Sequence, residues 1–456
     1  MMRRRRMTEA GKMKAGLNYN LKRVCRIRNT LTALCAGLCL VICLSCCASQ
    51  AESLIAGNEN TTSEDHLQYD SITTEEMDKD MTEKYDEMRD VSKTLPTEPG
   101  YSAFAGYLRG AGRSEKSYDG NAFIQSEAAS IIFRDLYYYA SYGLSRQTDP
   151  AIISYWKSLG LKKVVYDAGD TDRMWSVFVP VSEQYDENHL FPVVFCLHGH
   201  NNNILLAETY GFAKLGGSEG YITIVPWAKD EDIIVDEIPR ILNLLRDAGY
   251  PIDESRIYAA GFSKGGMATQ TIALKYSDIF AAVAPGGCGP LGTDKNAMPI
   301  SSGSLNWSFQ PEEFEKANTM PVLFFGGSCD SMPINTFSVN DWIHLSGANA
   351  PEMPEEWFSG STLASDNDVE RFTGLRYDAQ DQTEVRQYDD QNYYIGSYYN
   401  DAGVCTFRAV SVEGAPHWPM PSEAKVIWEF FSQFARDMNT HELIYITPKH
   451  RDKDDS

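Results

Sequence analysis

One short stretch of the chain, around Ser263, combines residue types and spacing suited to nucleophilic chemistry. An apolar run that begins at Arg256 ends in Gly261-Phe-Ser-Lys-Gly265, a Gly-x-Ser-x-Gly pattern, and a helical segment follows directly. A serine at a sharp strand-to-helix turn has its hydroxyl held clear of the backbone, at the positive end of the helix. The pattern by itself is a weak signal, because many surface turns match it. The rest of the chain must therefore supply the partners that such a serine needs.

A serine hydroxyl attacks well only when a base takes its proton, and the base works best when a carboxylate fixes its tautomer. In hydrolases with this turn, the acid and then the histidine follow the serine along the chain. Asp330 comes just after one apolar run, and His417 comes just after the last one. We therefore predict Asp330 as the acid and His417 as the base, with Asp341 and Asp368 as fallback acids.

The tetrahedral intermediate of acyl transfer carries an oxyanion, which needs backbone N–H donors already aimed at it. The amide of Lys264, directly after the serine, is one predicted donor. The amide of His200 or Asn201, in the loop after the apolar run that ends at Leu197, is the other. His198 in the same loop is interpreted as a structural hydrogen-bonding residue rather than as a base.

Two tryptophans, Trp227 and Trp418, lie beside these loops in the sequence. Their rings are large and amphipathic, so they are suited to stacking on a sugar or phenolic ring of a substrate. The alternative is that they form a packed pocket wall, and the sequence leaves both interpretations open.

The elements that must position these residues alternate between strand and helix from about residue 161. After an antiparallel pair at 163–166 and 174–181, strands are predicted at 191–197, 221–226, 256–262, 280–285, 321–325 and 405–412, and helices at 204–215, 232–248, 267–275 and 422–438. Such alternation predicts an α/β fold with a mainly parallel sheet and helices on both faces. Insertions at 291–319 and 331–403 leave from carboxyl ends of strands, where ligands bind in open α/β sheets.

The first 47 residues predict a signal peptide, because a basic segment precedes an apolar stretch of about 15 residues. That stretch ends in Leu44-Ser-Cys46-Cys47, which resembles a bacterial lipoprotein processing site with Cys46 or Cys47 acylated. Ordinary cleavage near Ala48 or Ala51, releasing a secreted product, is the alternative. The sequence therefore predicts an exported protein that meets a membrane only through a lipid anchor.

Three further segments flank the predicted catalytic domain at 161–440. Residues 48–99 are acidic and poor in apolar side chains, which predicts a disordered tether. Residues 100–160 have helical periodicity and predict a helical N-terminal addition. Residues 441–456 are interpreted as a polar tail.

The charge and the cysteines exclude some functions. A formal net charge of -22 argues against a nucleic-acid partner. Four cysteines lie outside the leader, and no Cys/His spacing predicts a zinc site. A disulfide between Cys288 and Cys329 is one prediction and buried free thiols are the other; the remaining two are Cys196 and Cys405.

Three motifs together resemble the secreted esterases that include polyhydroxybutyrate depolymerases and the feruloyl and acetylxylan esterases of carbohydrate esterase family one. The motifs are Phe195-x-Leu-His-Gly-His, Ile252-Asp-x-x-Arg-Ile-Tyr-x-x-Gly-x-Ser-x-Gly-Gly-Met and Pro416-His-Trp-Pro. The resemblance spans roughly residues 162–438. It implies an α/β-hydrolase fold, a triad of Ser263, Asp330 and His417, an oxyanion hole after Gly199, and no metal or organic cofactor.

The chain departs from this group at two places. Many members have cysteine where His200 stands, and Gly-Gly-His where Ala415-Pro416 precedes the histidine. The motifs are specific for the fold and for hydrolysis, and they leave the substrate open.

We therefore expect an exported serine esterase that acts on feruloyl or acetyl groups of polysaccharides, or on short hydroxyalkanoate esters. One alternative is a peptidase of the prolyl-oligopeptidase type, although no propeller-like repeat precedes the catalytic domain. The other is a non-catalytic carbohydrate-binding lipoprotein built on a hydrolase scaffold.

Overall fold

A mixed β-sheet forms the centre of the computed structural model, which describes residues 99–112, 118–132, 150–167, 173–181, 185, 188–200, 207–228, 234–292, 308–332, 334, 336, 338–351 and 365–446. The predicted leader and nearly all of the predicted tether lie outside these residues. The strands are β1 Leu161–Asp167, β2 Arg173–Pro180, β3 Phe191–Leu197, β4 Ile222–Ala228, β5 Ile252–Phe262, β6 Ala282–Gly286, β7 Val322–Gly327, β8 Thr383–Tyr388, β9 Gln391–Tyr399, β10 Cys405–Val412, β11 Phe434–Arg436 and β12 Leu443–Tyr445.

Helices connect most of these strands. They are α1 Pro99–Gly110, α2 Gly120–Phe123, α3 Pro150–Ser158, α4 Phe212–Glu219, α5 Ile234–Asp247, α6 Lys264–Lys275, α7 Pro311–Lys316, α8 Val339–Ser346, α9 Asp368–Thr373 and α10 Glu423–Phe431. Within the described parts of the chain, every helix is too short or too polar to span a lipid bilayer.

The large sheet has the strand order β1-β2-β4-β3-β5-β6-β7-β10-β9-β8. Its centre, from β4 to β10, is parallel, and both ends are antiparallel. Successive side chains of β5 point to opposite faces: Tyr258 and Ala260 join one core cluster, and Ile257 and Ala259 join the other. Both faces of the sheet are therefore covered, and the predicted α/β-hydrolase fold is confirmed.

The predicted insertion at 331–403 differs from the structure, because its described part adds two strands to the sheet. Strand β9 pairs antiparallel with β10, and β8 pairs with β9. Asp389 and Asp390 between them have φ angles of 50° and 60°, as in the two-residue turns that join such hairpins. The sequence did not reveal β8 because this edge strand is polar and mostly exposed.

Two predicted helix ends also differ from the structure. Helix α4 ends at Glu219, not at residue 215. Helix α10 ends at Phe431, and the chain then forms β11, which pairs with β12 from the predicted polar tail. Ser422 makes no side-chain cap to α10, because its hydroxyl donates to Asp389 in the β8–β9 turn.

Candidate active site

Ser263 occupies a strained turn between β5 and α6. Its φ of 58° and ψ of -118° are uncommon for a residue with a side chain, and such conformations cost about 1–3 kcal/mol. The turn is held on both sides. The Ser263 amide donates to the Gly286 carbonyl on β6 at 2.8 Å, and the Met267 amide donates to the Ser263 carbonyl at 3.1 Å. The backbone therefore keeps the serine in a position that local preference alone would not choose.

Glycines around this serine let strands and helix approach each other closely. A Cβ at Gly261 would lie 2.3 Å from the Gly265 carbonyl oxygen, and a Cβ at Gly265 would lie 2.2 Å from the Leu197 carbonyl oxygen. A Cβ at Gly266 would meet the Gly286 carbonyl oxygen at 2.4 Å. These contacts bring the start of α6 against the end of β3.

The structure brings Ser263, His417 and Asp330 together from three separate strand ends. His417 Nε2 lies 3.0 Å from Ser263 Oγ, and His417 Nδ1 lies 2.8 Å from Asp330 Oδ2. Asp330 is 1% exposed, and its Oδ1 accepts the Met332 amide at 2.9 Å. Hydrogen bonds thus run from a buried carboxylate through the imidazole to the serine hydroxyl, the arrangement that a general base for this serine requires.

The pKa of His417 is raised above its ordinary value of 6.5. Burial by itself lowers the pKa of the imidazole, but the charge of Asp330 and the hydrogen bond to it raise the pKa and outweigh the burial. The protonated form is therefore stabilised, as a base that carries a proton through the reaction requires.

The loops that carry Asp330 and His417 are bonded to each other. The Gly414 amide donates to Ser328 Oγ at 2.8 Å, and the Cys329 amide donates to the Ala415 carbonyl at 3.0 Å. A Cβ at Gly327 would lie 2.1 Å from that same carbonyl oxygen. The relative placement of Asp330 and His417 is therefore set by backbone contacts as well as by their own hydrogen bond.

The residues predicted to form the oxyanion hole are placed as follows. Lys264 is the first residue of α6, where amide N–H groups point out of the start of the helix. His200 is exposed and follows the end of β3, while Asn201 lies outside the described residues. His198 is 2% exposed and its Nδ1 lies 2.8 Å from the Gly199 carbonyl oxygen, which fits the structural role expected of it.

The two tryptophans have different environments. Trp418 is 5% exposed and packs edge-on against Tyr107 and Tyr210, with ring centroids 6.1 and 5.7 Å away. Its surroundings are those of a packing residue behind the base. Trp227 is half-buried at the carboxyl end of β4, which lies two strands from β5.

The fallback acids and the cysteines have other surroundings. Asp341 lies within α8, and the carboxylate of Asp368 pairs with Arg371 at the start of α9.

The four cysteines outside the leader are buried free thiols, so the predicted disulfide between Cys288 and Cys329 is absent.

One part of this site was not predicted from the sequence. The backbone of His417 is bonded to two residues of the N-terminal addition. Its amide donates to the carbonyl of Ala111, which directly follows α1, and its carbonyl accepts the hydroxyl of Tyr107, which lies in α1; both distances are 3.0 Å. Helical periodicity in this region was visible in the sequence, but more than 300 residues separate the partners and no local pattern joins them.

Solved structures with a similar fold include esterases and other serine hydrolases. Acetyl xylan esterase from Aspergillus awamori is 17% identical, with a TM-score of 0.37 over 60% of this chain and 98% of that chain. A mutant of the feruloyl esterase module from Clostridium thermocellum complexed with sinapinate is 14% identical, with a TM-score of 0.33 over 59% and 86%. FphF, a fluorophosphonate-binding serine hydrolase of Staphylococcus aureus, is 15% identical, with a TM-score of 0.30 over 37% and 79%.

No protein-family model matches the chain, and no curated protein is similar to it in sequence. The fold assignment therefore depends on the strand order and on the turn at Ser263.

Proposed function

We propose that this protein is a serine hydrolase that cleaves carboxylic esters through an acyl-Ser263 intermediate. The observation that carries the proposal is the pair of contacts at His417, 3.0 Å to the serine hydroxyl and 2.8 Å to the buried carboxylate of Asp330. One imidazole thus faces a nucleophile with one nitrogen and an orienting acid with the other. This is the geometry by which a neutral histidine activates a serine.

In the proposed reaction, His417 Nε2 takes the hydroxyl proton as Ser263 Oγ attacks the ester carbonyl. Asp330 stabilises the imidazolium that forms, and the Lys264 amide donates to the oxyanion, together with the amide of His200 or Asn201. The tetrahedral intermediate collapses to acyl-Ser263, and His417 returns the proton to the leaving alcohol. Water then attacks the acyl group with the same base, which releases the acid and restores the serine.

The motif resemblance supports an ester of a feruloyl or acetyl group on polysaccharide, or a short hydroxyalkanoate ester, as the substrate. The predicted leader supports action outside the cytoplasm, on a cell surface or in the medium.

A fluorophosphonate probe tests the proposal directly, because it reacts with activated serines. We expect the wild-type protein to be labelled and Ser263→Ala to remain unlabelled. Ser218→Ala is the matched control, because it removes an exposed serine hydroxyl that donates to the Leu215 carbonyl within α4 and not to His417. Labelling that persists in Ser263→Ala would contradict the assignment, and an unlabelled wild type would favour the non-catalytic binding protein.

A substrate panel then separates the hydrolase classes. We expect turnover of p-nitrophenyl acetate and methyl ferulate, and little turnover of a proline-containing peptide amide. A preference for the amide would favour the peptidase.

A further inference from the structure

The backbone of His417 is tied to a segment that precedes the hydrolase core. This segment, residues 105–112, comprises the end of α1 and the turn after it, and we call it the brace. The His417 amide donates to the Ala111 carbonyl at 3.0 Å, and the Tyr107 hydroxyl donates to the His417 carbonyl at 3.0 Å. The Tyr107 ring also packs edge-on against Trp418, the residue after the base. Both polar groups of the His417 backbone are therefore bonded to the brace.

The loop around His417 needs such partners. Residues 413–422, between β10 and α10, form turns and bends without regular secondary structure. Their backbone groups must find partners outside a helix or sheet ladder. The loop that carries Asp330 provides hydrogen-bond partners near Gly414 and Ala415, whereas the brace provides the partners at His417.

The brace is itself held firmly in the core. Ala105 and Leu108 are 3% and 0% exposed, in the same core cluster as Trp418 and Met420. The Tyr118 hydroxyl donates to the Leu108 carbonyl. A Cβ at Gly120 would lie 2.1 Å from the Arg109 carbonyl oxygen, so α2 lies directly against the end of α1. A support of this kind can hold the loop in one position.

We propose that Tyr107 and the Ala111 carbonyl are positioning groups that fix the backbone of His417, so that its imidazole stays aimed at Ser263. Through these two groups, the N-terminal addition acts on the catalytic site. The expected effect of these two groups on the rate of turnover rests on the proposed function. A small displacement of a catalytic group is enough to slow turnover, while substrate binding elsewhere in the site would be unchanged.

The first test replaces Tyr107 with phenylalanine, which removes the hydroxyl and keeps the ring against Trp418. We expect kcat for p-nitrophenyl acetate and the rate of fluorophosphonate labelling to fall about 3- to 10-fold, the effect of one lost hydrogen bond. KM should change less than about twofold, because binding is untouched. Tyr258→Phe is the matched control: its buried hydroxyl donates to the Phe434 carbonyl at 2.6 Å, away from His417, and kcat should be unchanged.

The second test is designed to shift the segment that carries the Ala111 carbonyl without removing a hydrogen-bonding group. A Cβ at Gly112 would lie 2.3 Å from the Tyr118 ring, so Gly112→Ala must shift the chain or the ring. A Cβ at Gly106 in the same segment meets nothing within 4 Å. We expect Gly112→Ala to lower kcat at least as much as Tyr107→Phe, and Gly106→Ala to retain full kcat.

A third measurement does not depend on turnover. In proton NMR spectra, the proton between His417 Nδ1 and Asp330 should exchange with solvent faster in Tyr107→Phe than in the wild type, and at the wild-type rate in Tyr258→Phe. An inactive wild type that shows this difference would refute the proposed function and leave the brace supported. If the wild type is active and Tyr107→Phe has the same kcat and the same proton-exchange rate as the wild type, the positioning role of the brace is refuted.

Discussion

At the scale of single residues, the orientation of the imidazole of His417 depends on Asp330. The carboxylate is almost fully buried and meets Nδ1 at 2.8 Å, which leaves Nε2 for the serine hydroxyl. Asparagine at this position has nearly the same shape but can hold the wrong tautomer. We therefore expect Asp330→Asn to lower kcat by about 10³- to 10⁴-fold while the fold is retained.

Steady-state kinetics with p-nitrophenyl acetate measure this loss, with circular dichroism to check the fold. Asp368→Asn is the control, because its carboxylate is about half exposed and pairs with Arg371. We expect it to keep wild-type activity. A large loss in Asp368→Asn together with an active Asp330→Asn would assign the acid to the fallback position instead.

The same contact sets the pH dependence of the reaction. His417 must be neutral to accept the serine proton, and its pKa is raised by Asp330 above 6.5. The value of kcat/KM should therefore rise with pH, with a midpoint above 6.5. In the residual activity of Asp330→Asn the midpoint should move to lower pH, since the carboxylate that raises the pKa of His417 is lost. A flat profile between about pH 5 and 8 in the wild type would contradict a histidine base.

At the scale of elements, the start of α6 must lie against the end of β3 to bring the two proposed oxyanion donors together. A methyl group at Gly265 would lie 2.2 Å from the Leu197 carbonyl oxygen and would push the helix away. We expect Gly265→Ala to lower kcat more than 100-fold, roughly the effect of losing an oxyanion donor. It should also lower the free energy of unfolding by about 1–3 kcal/mol.

Gly326 offers a matched control on β7, because the atoms nearest to an added Cβ there lie 3.7 Å away. Gly326→Ala should therefore keep both its stability and its activity. Urea denaturation and initial rates measure the two effects separately. If Gly265→Ala and Gly326→Ala have the same stability and the same initial rate, the tight contact between α6 and β3 is contradicted.

At the scale of the whole molecule, one buried arginine joins the C-terminal hairpin to the sheet. The Arg436 guanidinium is fully buried and donates to the carbonyls of Phe280, Thr319 and His441 at 2.7–2.8 Å. Burial lowers its pKa to about 10. Arg436→Met would leave the carbonyls of Phe280, Thr319 and His441 without this donor, and that of Phe280 lies in the core, so we expect a loss of about 3–5 kcal/mol in the free energy of unfolding.

Arg246→Met is the comparison, because Arg246 pairs with Glu254 at the surface and both side chains are more than a third exposed. We expect Arg246→Met to lower the free energy of unfolding by less than about 1 kcal/mol. Equal midpoints for the two variants in urea denaturation would show that Arg436 contributes no more than a surface ion pair.

The location of the whole protein depends on the leader. If Cys46 or Cys47 is acylated, the protein should take up labelled fatty acid and fractionate with membranes, because a lipid chain supplies the apolar contact. The double variant with serine at both positions should be unlabelled. Cys405→Ser, which changes a buried thiol outside the leader sequence, is the control. A wild type that remains unlabelled and soluble would favour ordinary cleavage and secretion.

Local patterns in the sequence determined the fold class and the chain positions of the site. Apolar runs such as Phe191–Leu197 predicted buried strands, since a strand covered on both faces needs apolar residues throughout. The Gly-x-Ser-x-Gly pattern predicted the turn at Ser263, because the small residues that such a turn requires stand within two positions of the serine, although contacts with Leu197 and Gly286 also hold it in the folded chain. The polar strand β8 and the end of α10 were missed, because long-range pairing and the buried Arg436 decide them.

Only the tertiary structure decided which residues meet. His417 lies 154 residues from Ser263 and 87 from Asp330, and their hydrogen bonds depend on how strands pair across the whole sheet. The same holds for Tyr107, whose partner lies 310 residues away. Periodicity and turn chemistry act over a few residues, whereas the contacts that aim a catalytic group form between segments that become neighbours only when the chain is folded.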